Sequence, residues 1–177
     1  MPLQTRSVRR LSWLTLNILL NVIAASVITA YQDTLSAVIA LAVFLPIISD
    51  MSGCSGSQAL AVSIRELTLG LIRPHEYLRV VVKEGLVGIL NGIVLGILLG
   101  TLAFLWKHNI YLSLVVGSAL AFNTIVAVVI GGLVPLGLKA LRLDPALASG
   151  PILTTVTDMC GFFLVLSLAS GMLPRLV

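Results

Sequence analysis

In Ala146-Leu-Ala-Ser-Gly-Pro-Ile-Leu-Thr-Thr-Val-Thr-Asp158-Met-Cys-Gly161, an aspartate lies inside an apolar segment that continues to Leu173. An acid at bilayer depth costs several kcal/mol unless a cation, a partner or a wet cavity stabilises it. Acids in membrane segments are therefore functional-site candidates by default. Asp158 indicates that this segment handles cations within a membrane.

The composition predicts a protein that is all membrane domain. Of its 177 residues, 58% are hydrophobic and 10% are charged, and the mean hydropathy is +1.11. This is more apolar surface than a soluble domain of that length can bury. Crossing the hydrocarbon takes about 20 residues, and five segments qualify: 11–30, 34–49 with an alternative extension to 64, 85–106, 111–135 and 146–173. The predicted fold is an all-α integral membrane protein with five transmembrane helices.

The basic residues orient these helices, because Lys and Arg are retained on the cytoplasmic side. With a cytoplasmic amino terminus, nine basic residues fall inside and two, Lys107 and Arg175, fall outside. The nine are Arg6, Arg9, Arg10, Arg65, Arg73, Arg79, Lys83, Lys139 and Arg142. The carboxyl terminus is therefore predicted to lie outside. The first segment could also be read as a cleavable signal, but its apolar region is longer than such signals have, so we expect an uncleaved helix.

Two function classes find no support in the sequence. The segment 73–79 has too few basic and aromatic residues for a nucleic-acid surface. No catalytic constellation is visible, since His75 and His108 fall on opposite sides of the predicted membrane. Cys54 and Cys160 lie on different spans without the spacing of a disulfide or zinc framework. We expect neither an enzyme nor a nucleic-acid binder.

The second span contains helix-breaking signals. Pro46 and the polar run 49–58 interrupt a segment that would be about 46 Å long as one helix. A break at membrane depth is stable only when it is buried or lines a wet cavity, where freed carbonyls become oxygen ligands. The alternative is an ordinary cytoplasmic turn at 50–57, with 58–72 lying on the membrane surface. Both interpretations predict a broken helix.

Two other spans carry readable patterns. Gly88, Gly92, Gly96 and Gly100 recur every fourth residue, which predicts a close helix-packing face. Asp144 followed by Pro145 predicts the N-cap of the last helix. Asp158 then lies roughly 21 Å along that helix. It shares a small or polar stripe with Gly150, Pro151, Thr154, Thr155 and Gly161.

The available side chains suit a hard divalent cation. The oxygen donors are Asp158, Thr154, Thr155, Asp50, Ser55 and Ser57, and Mg²⁺ prefers carboxylates, hydroxyls and its own waters. One such aspartate per chain is little charge for a permeating ion, so a two-fold dimer that pairs two copies of Asp158 is a natural corollary. A proton-exchanging acid, or a buried neutral acid that bonds another helix, remains the alternative.

The motif residues resemble a known family. Pro46-Ile-Ile-Ser-Asp-Met-Ser-Gly-Cys-Ser-Gly-Ser-Gln58, followed by Ile64-Arg-Glu-Leu-Thr-Leu-Gly70, is similar to the second-helix pattern of the MgtE magnesium channel/transporter family. Leu143-Asp-Pro-Ala-Leu-Ala-Ser-Gly-Pro151 and Thr154-Thr-Val-Thr-Asp158-Met-Cys-Gly161 resemble its last-helix motif. The resemblance covers nearly the whole chain from the second span onward.

The resemblance implies a homodimer of five-helix subunits, with a pore on the two-fold axis lined by the second and fifth helices. It implies that Asp158 binds hydrated Mg²⁺, the transported ion, and that the glycine-rich segment contributes through Gly53 and Cys54. The chain departs from the family pattern at Ser52, where a glycine is usual, and at Cys54, where an asparagine is usual. The expected domain is a single transmembrane domain over 1–177 without a soluble regulatory domain.

The sequence thus predicts a divalent cation channel or transporter, with magnesium as the expected ion, in the plasma membrane of a prokaryotic cell. Its expected partners are the lipid bilayer, the cation and a second copy of the chain, with no nucleic acid. Two other functions fit the same residues: a non-transporting membrane scaffold or assembly subunit with a structural Asp158, and a proton-coupled carrier.

Overall fold

The protein is a helical bundle in the residues that the structure, a computed structural model, describes, which are 3–73 and 75–176. These residues form seven helices and no strand: α1 (Leu3–Ala30), α2 (Gln32–Ala37), α3 (Leu41–Thr68), α4 (Tyr77–Lys107), α5 (Ile110–Ala140), α6 (Pro145–Gly171) and α7 (Leu173–Leu176). The predicted all-α class is confirmed.

Within the described residues, four stretches of helix are long and apolar enough to cross a membrane: Leu11–Ala30, Tyr77–Lys107, Ile110–Ala140 and Ala148–Gly171. They correspond to the first, third, fourth and fifth predicted spans. The second predicted span corresponds to α3, which has 28 residues and is therefore about 42 Å long. Its polar middle, rather than its length, separates it from the other four.

The predicted break in the second span is wrong. α3 runs as one helix through Pro46 and through the whole polar run 49–58. The chain instead breaks earlier, in a turn at residues 38–40 between α2 and α3. Pro46 lies near the start of α3, where a missing N–H removes only one helical hydrogen bond. The hydroxyl of Ser52 donates back to the Ile48 carbonyl at 2.7 Å, so serine here stays within the helix.

Both alternatives for the polar run are therefore corrected. It forms neither irregular backbone with freed carbonyls nor a cytoplasmic turn, and residues 58–68 continue α3 rather than lie along a surface. α3 ends at Thr68 and α4 begins at Tyr77, and the described residues between them, 69–73 and 75–76, are not helical. What remains polar in the middle of α3 is its side chains.

Helix α5 lies at the centre and packs against α3, α4 and α6, while α1 packs mainly against α6. Small residues permit the close approaches. A Cβ on Gly92 would lie 2.6 Å from the Ala121 carbonyl of α5, and one on Gly56 would lie 2.8 Å from the Ala127 carbonyl. The predicted packing role of the α4 glycines is confirmed by these contacts with α5.

The main apolar cluster fixes how the helices run. It joins the start of α3 (Leu41, Phe44), the end of α4 (Leu99, Ala103), the start of α5 and the end of α6. Ile28 and Tyr31, at the end of α1, pack against the same cluster. The ends of α1, α4 and α6 therefore lie together with the starts of α3 and α5, so α3 runs antiparallel to α6.

The start of α6 is also as predicted. Asp144 is the N-cap, and its Oδ1 accepts a hydrogen bond from the Ala146 N–H at 3.0 Å. Pro145 occupies the first helical position, where its missing N–H has no cost. The cap fixes where α6 begins, and Asp158 lies near the middle of the helix.

Candidate cation site

A groove of about 690 Å³ runs between the middle of α3 and the middle of α6. Pro46, Ser49, Asp50, Gly53, Cys54, Ser57 and Gln58 of α3 line one side, and Thr154, Thr157, Asp158 and Phe162 of α6 line the other. Among the described residues, the lining contains two carboxylates and no Lys, Arg or His. The groove is therefore acidic, and it is open on one side rather than enclosed.

Asp158 is half-buried on the α6 side of the groove. Its Oδ1 accepts a hydrogen bond from the hydroxyl of Ser49 on α3. A hydrogen bond to a charged acceptor is stronger than one between neutral groups, so this contact both orients the carboxylate and offsets part of its desolvation. The remaining carboxylate lone pairs are available to the groove.

The α3 side supplies four polar side chains that are exposed to the groove: Asp50, Cys54, Ser57 and Gln58. Gly53 faces α6, because a Cβ there would be 3.8 Å from the Thr157 hydroxyl of that helix. The structure thus brings Asp50, Gly53, Cys54 and Ser57 into one groove with Asp158, and their role as ion ligands stays a prediction.

Of the two threonines predicted as ion ligands, only one lines the groove. Thr154 is exposed and lines the groove, with its hydroxyl donating to the Gly150 and Pro151 carbonyls at 3.2 and 3.1 Å. Thr155 is buried outside the groove lining, and its hydroxyl donates to the Pro151 carbonyl at 2.8 Å. One residue along a helix turns the side chain by about 100°. Ser55 is likewise buried and does not line the groove.

Five lining residues were not predicted: Pro46, Ser49, Gln58, Thr157 and Phe162. On α3 the groove residues recur at i, i+3, i+4, i+7, i+8, i+11 and i+12 from residue 46, which is the stripe of one helix face. That periodicity is visible in the sequence. It was missed because the polar run was interpreted as a break.

The donor set suits a cation that keeps its water. Within the part of the chain that the structure describes, no three His, Cys, Asp or Glu side chains come together as a dry metal cage would need. Hydroxyls and two carboxylates along an open groove can instead bond the water shell of a hard ion. Mg²⁺ holds its waters tightly and is usually bound through one or two carboxylates.

Comparison with known proteins identifies the family. Residues 45–168 match the MgtE family, described as a divalent cation transporter. Magnesium transporter MgtE of Bacillus subtilis (strain 168) is 34% identical over 168 residues, which are 95% of this chain and 37% of that protein. Magnesium transporter MgtE of Thermus thermophilus is 33% identical over 160 residues, 90% of this chain and 35% of that protein. The family resemblance seen in the sequence is confirmed, and the chain spans about a third of the length of these relatives.

Proposed function

Because this chain belongs to the MgtE family of divalent cation transporters, we propose that it carries Mg²⁺ across the plasma membrane of a prokaryotic cell. The observation that supports this most directly is the acidic groove between α3 and α6, with Asp158 at its centre. The relatives are named magnesium transporters, and the hard oxygen donors of the groove favour the same ion.

In this proposal Asp158 attracts the ion while water remains around it. The Ser49 hydroxyl holds the carboxylate in place, and Thr154 and Ser57 offer hydroxyls along the groove. Asp50, exposed on α3, adds a second negative charge. A site that contacts the ion through water binds weakly enough to release it, which conduction requires.

We also propose that two copies complete the path. The groove is lined by α3 and α6 but is not enclosed by them, as half of a pore would be. A two-fold dimer that joins two such grooves would place two copies of Asp158 around one ion and double the local charge without further sequence.

The direction of the helices supports five crossings. The ends of α1 and α4 meet at one apolar cluster, so these two helices run in the same direction. The chain between them must return to the opposite end, and among the described residues α3 is the helix long enough to do so. We therefore propose that α3 also crosses the membrane, as the second of five spans, with its polar face directed to the groove.

The basic residues support the proposed orientation. Arg65 lies in the last turn of α3, Arg79 and Lys83 lie in the first two turns of α4, and Lys139 lies in the last turn of α5. All four therefore lie at one end of the bundle. Lys107 and Arg175 lie at the other end. By the positive-inside rule, the first end faces the cytoplasm.

Liposomes that contain this chain alone test the proposal. We expect Mg²⁺ uptake that follows the Mg²⁺ gradient and needs no pH gradient, and heat protection of the purified protein by Mg²⁺ that is lost in Asp158→Asn. Uptake equal to that of empty liposomes would favour the scaffold function. Uptake that requires a pH gradient would favour the proton-coupled carrier.

A further inference from the structure

Asn123, near the middle of α5, joins three helices through one side-chain amide. The residue is fully buried at 0% exposure. Its Nδ2 donates to the Ser52 hydroxyl of α3 at 2.5 Å and to the Thr157 carbonyl of α6 at 3.0 Å. A polar side chain at this depth is expensive to bury, and these two bonds link the pair of helices that form the groove.

The two acceptors lie beside the residues proposed to hold the ion. Thr157 precedes Asp158 in α6. Ser52 follows Ser49 by one helical turn, and its hydroxyl lies 3.1 Å from the Ser49 carbonyl. The amide of Asn123 therefore acts at the level where the Ser49 hydroxyl meets the Asp158 carboxylate.

The side chain at position 123 must donate two hydrogen bonds, one to each acceptor. The Ser52 hydroxyl gives its hydrogen to the Ile48 carbonyl at 2.7 Å, so it can only accept from Asn123, and the Thr157 carbonyl is an acceptor as well. A primary amide supplies two N–H groups, whereas a carboxylate of the same shape supplies none. Oδ1 of Asn123 has no partner among the described residues, so the donor end makes the contacts.

The neighbouring helix also leaves room for this amide. A Cβ on Gly161, one turn beyond Asp158, would lie 2.8 Å from Nδ2 of Asn123. That approach is shorter than van der Waals contact, so a larger residue there would displace the amide or the helix. The close packing fixes α6 on α5 at the same level as the two hydrogen bonds.

From these contacts we infer that Asn123 is the positioning residue of the groove: it holds α3 and α6 at a fixed separation, and this separation sets which hydrated cation the groove accepts. The inference rests on the proposed function. A hydrated ion is recognised by the spacing of the oxygens that bond its water shell. Mg²⁺ demands a near-ideal octahedron at short distance, whereas Ca²⁺ accepts longer and more variable geometry.

Two measurements on the full chain test the inference. The first is the apparent KM for Mg²⁺ and for Ca²⁺ in liposome flux. Asn123→Leu keeps the approximate size and removes both donors. We expect it to raise the KM for Mg²⁺ about tenfold relative to the KM for Ca²⁺, an effect of the size seen for other residues that orient metal ligands. For Asn123→Asp, which keeps the shape and removes the donors, we expect a change in the same direction.

The second measurement does not depend on transport. Gly53→Cys combined with Thr157→Cys places two thiols across the groove, where a Cβ at Gly53 would lie 3.8 Å from the Thr157 hydroxyl, so the yield of their disulfide reports the separation of α3 and α6. We expect the yield to fall when Asn123→Leu is added. A yield equal to that of the Asn123 parent would overturn the inference, whatever ion the chain carries.

Thr124→Val is the matched control. Thr124 is the next residue of α5 and is equally buried, but its hydroxyl donates to the Leu120 carbonyl of its own helix at 2.8 Å. We expect its KM ratio and disulfide yield to match the parent. If Asn123→Leu does not fold, Ser52→Ala removes one acceptor and should shift both readouts less strongly. Unchanged readouts in Ser52→Ala would then overturn the inference, while absent flux in the parent would count against the proposed function alone.

Discussion

The hydroxyl of Ser49 on α3 donates a hydrogen bond to Oδ1 of Asp158 on α6. This bond connects two residues that are 109 positions apart in the chain, and it joins the first half of α3 to the middle of α6. It gives the intramembrane acid one partner while leaving lone pairs for a cation and its waters. Asp158 can therefore lie within a continuous membrane helix, because the Ser49 hydroxyl stabilises its carboxylate.

The charge of Asp158 should be essential for transport. We expect Asp158→Asn to reduce Mg²⁺ flux in liposomes to that of protein-free vesicles, because the amide keeps the volume but removes the charge that attracts the ion. The protein should remain folded, as judged by its elution in size-exclusion chromatography. Asp33→Asn, an exposed change on α2 outside the groove lining, is the control. Parent-like flux in Asp158→Asn would mean that the aspartate is structural.

The Ser49 hydroxyl should matter for affinity more than for maximal rate. Hydrogen bonds to charged groups are worth about 1.5–3 kcal/mol, so Ser49→Ala should raise the apparent KM for Mg²⁺ about tenfold because Asp158 is no longer held in place. Ser49→Thr retains the hydroxyl and should restore most of the affinity. A lower KM in Ser49→Ala would show that Ser49 competes with the ion instead of positioning the carboxylate.

Local signals in the sequence predict four of the long helices, the start of α6 and the acid within α6, because each depends on residues close together in the chain. Asp144 and Pro145 suffice to mark a helix start, and an acid in an apolar run suffices to mark Asp158. The continuity of α3 could not be predicted in this way. Its glycine and serine residues are weak helix formers, and what supports them is packing against α5, for example Gly56 against Gly131.

The sequence alone also could not predict which of the α6 threonines lines the groove. Thr154 and Thr155 both lie near Asp158 on a helical projection, and the rotation of α6 decides between them. That rotation is fixed by partners on other helices, including the bond from Asn123 to the Thr157 carbonyl. Contacts between residues 34 positions apart leave no periodic signal in a single sequence.

A disulfide between α3 and α6 across the groove should block transport. A disulfide between Gly53→Cys and Thr157→Cys, in a background with Cys54→Ala and Cys160→Ala, should form under mild oxidation and block Mg²⁺ flux, because a Cβ at Gly53 would lie 3.8 Å from the Thr157 hydroxyl oxygen, the position that the thiol of Thr157→Cys would take. Reduction should restore flux. Gly53→Cys with Ser170→Cys, whose α6 site lies about 20 Å further along the helix, should not crosslink. Flux that persists in the crosslinked pair would place the ion path elsewhere.

The close packing of α3 on α5 should be sensitive to a single methyl group. Gly56→Ala would bring a Cβ to 2.8 Å from the Ala127 carbonyl, and overpacking of this kind destabilises by about 1–3 kcal/mol. We expect a lower thermal unfolding temperature in detergent. Gly137→Ala is the control, because a Cβ there meets no atom within 4 Å. Equal stability of the two variants would contradict the packing role of Gly56.

The thiol of Cys54 should weaken the preference for magnesium. Cys54 is exposed on α3 and lines the groove with Asp50 and Ser57, at the position where the family pattern has an asparagine. A thiol is a poor partner for hard, hydrated Mg²⁺ and a better one for softer ions. We therefore expect Cys54→Asn to shift competition between Mg²⁺ and Mn²⁺ several-fold toward Mg²⁺ in liposome flux. Cys160→Ser, on α6 outside the groove lining, should leave the ratio unchanged. The same ratio in Cys54→Asn and the parent would remove Cys54 from the ion path, and the oxygens of Asp158 and its neighbours would then account for selectivity alone.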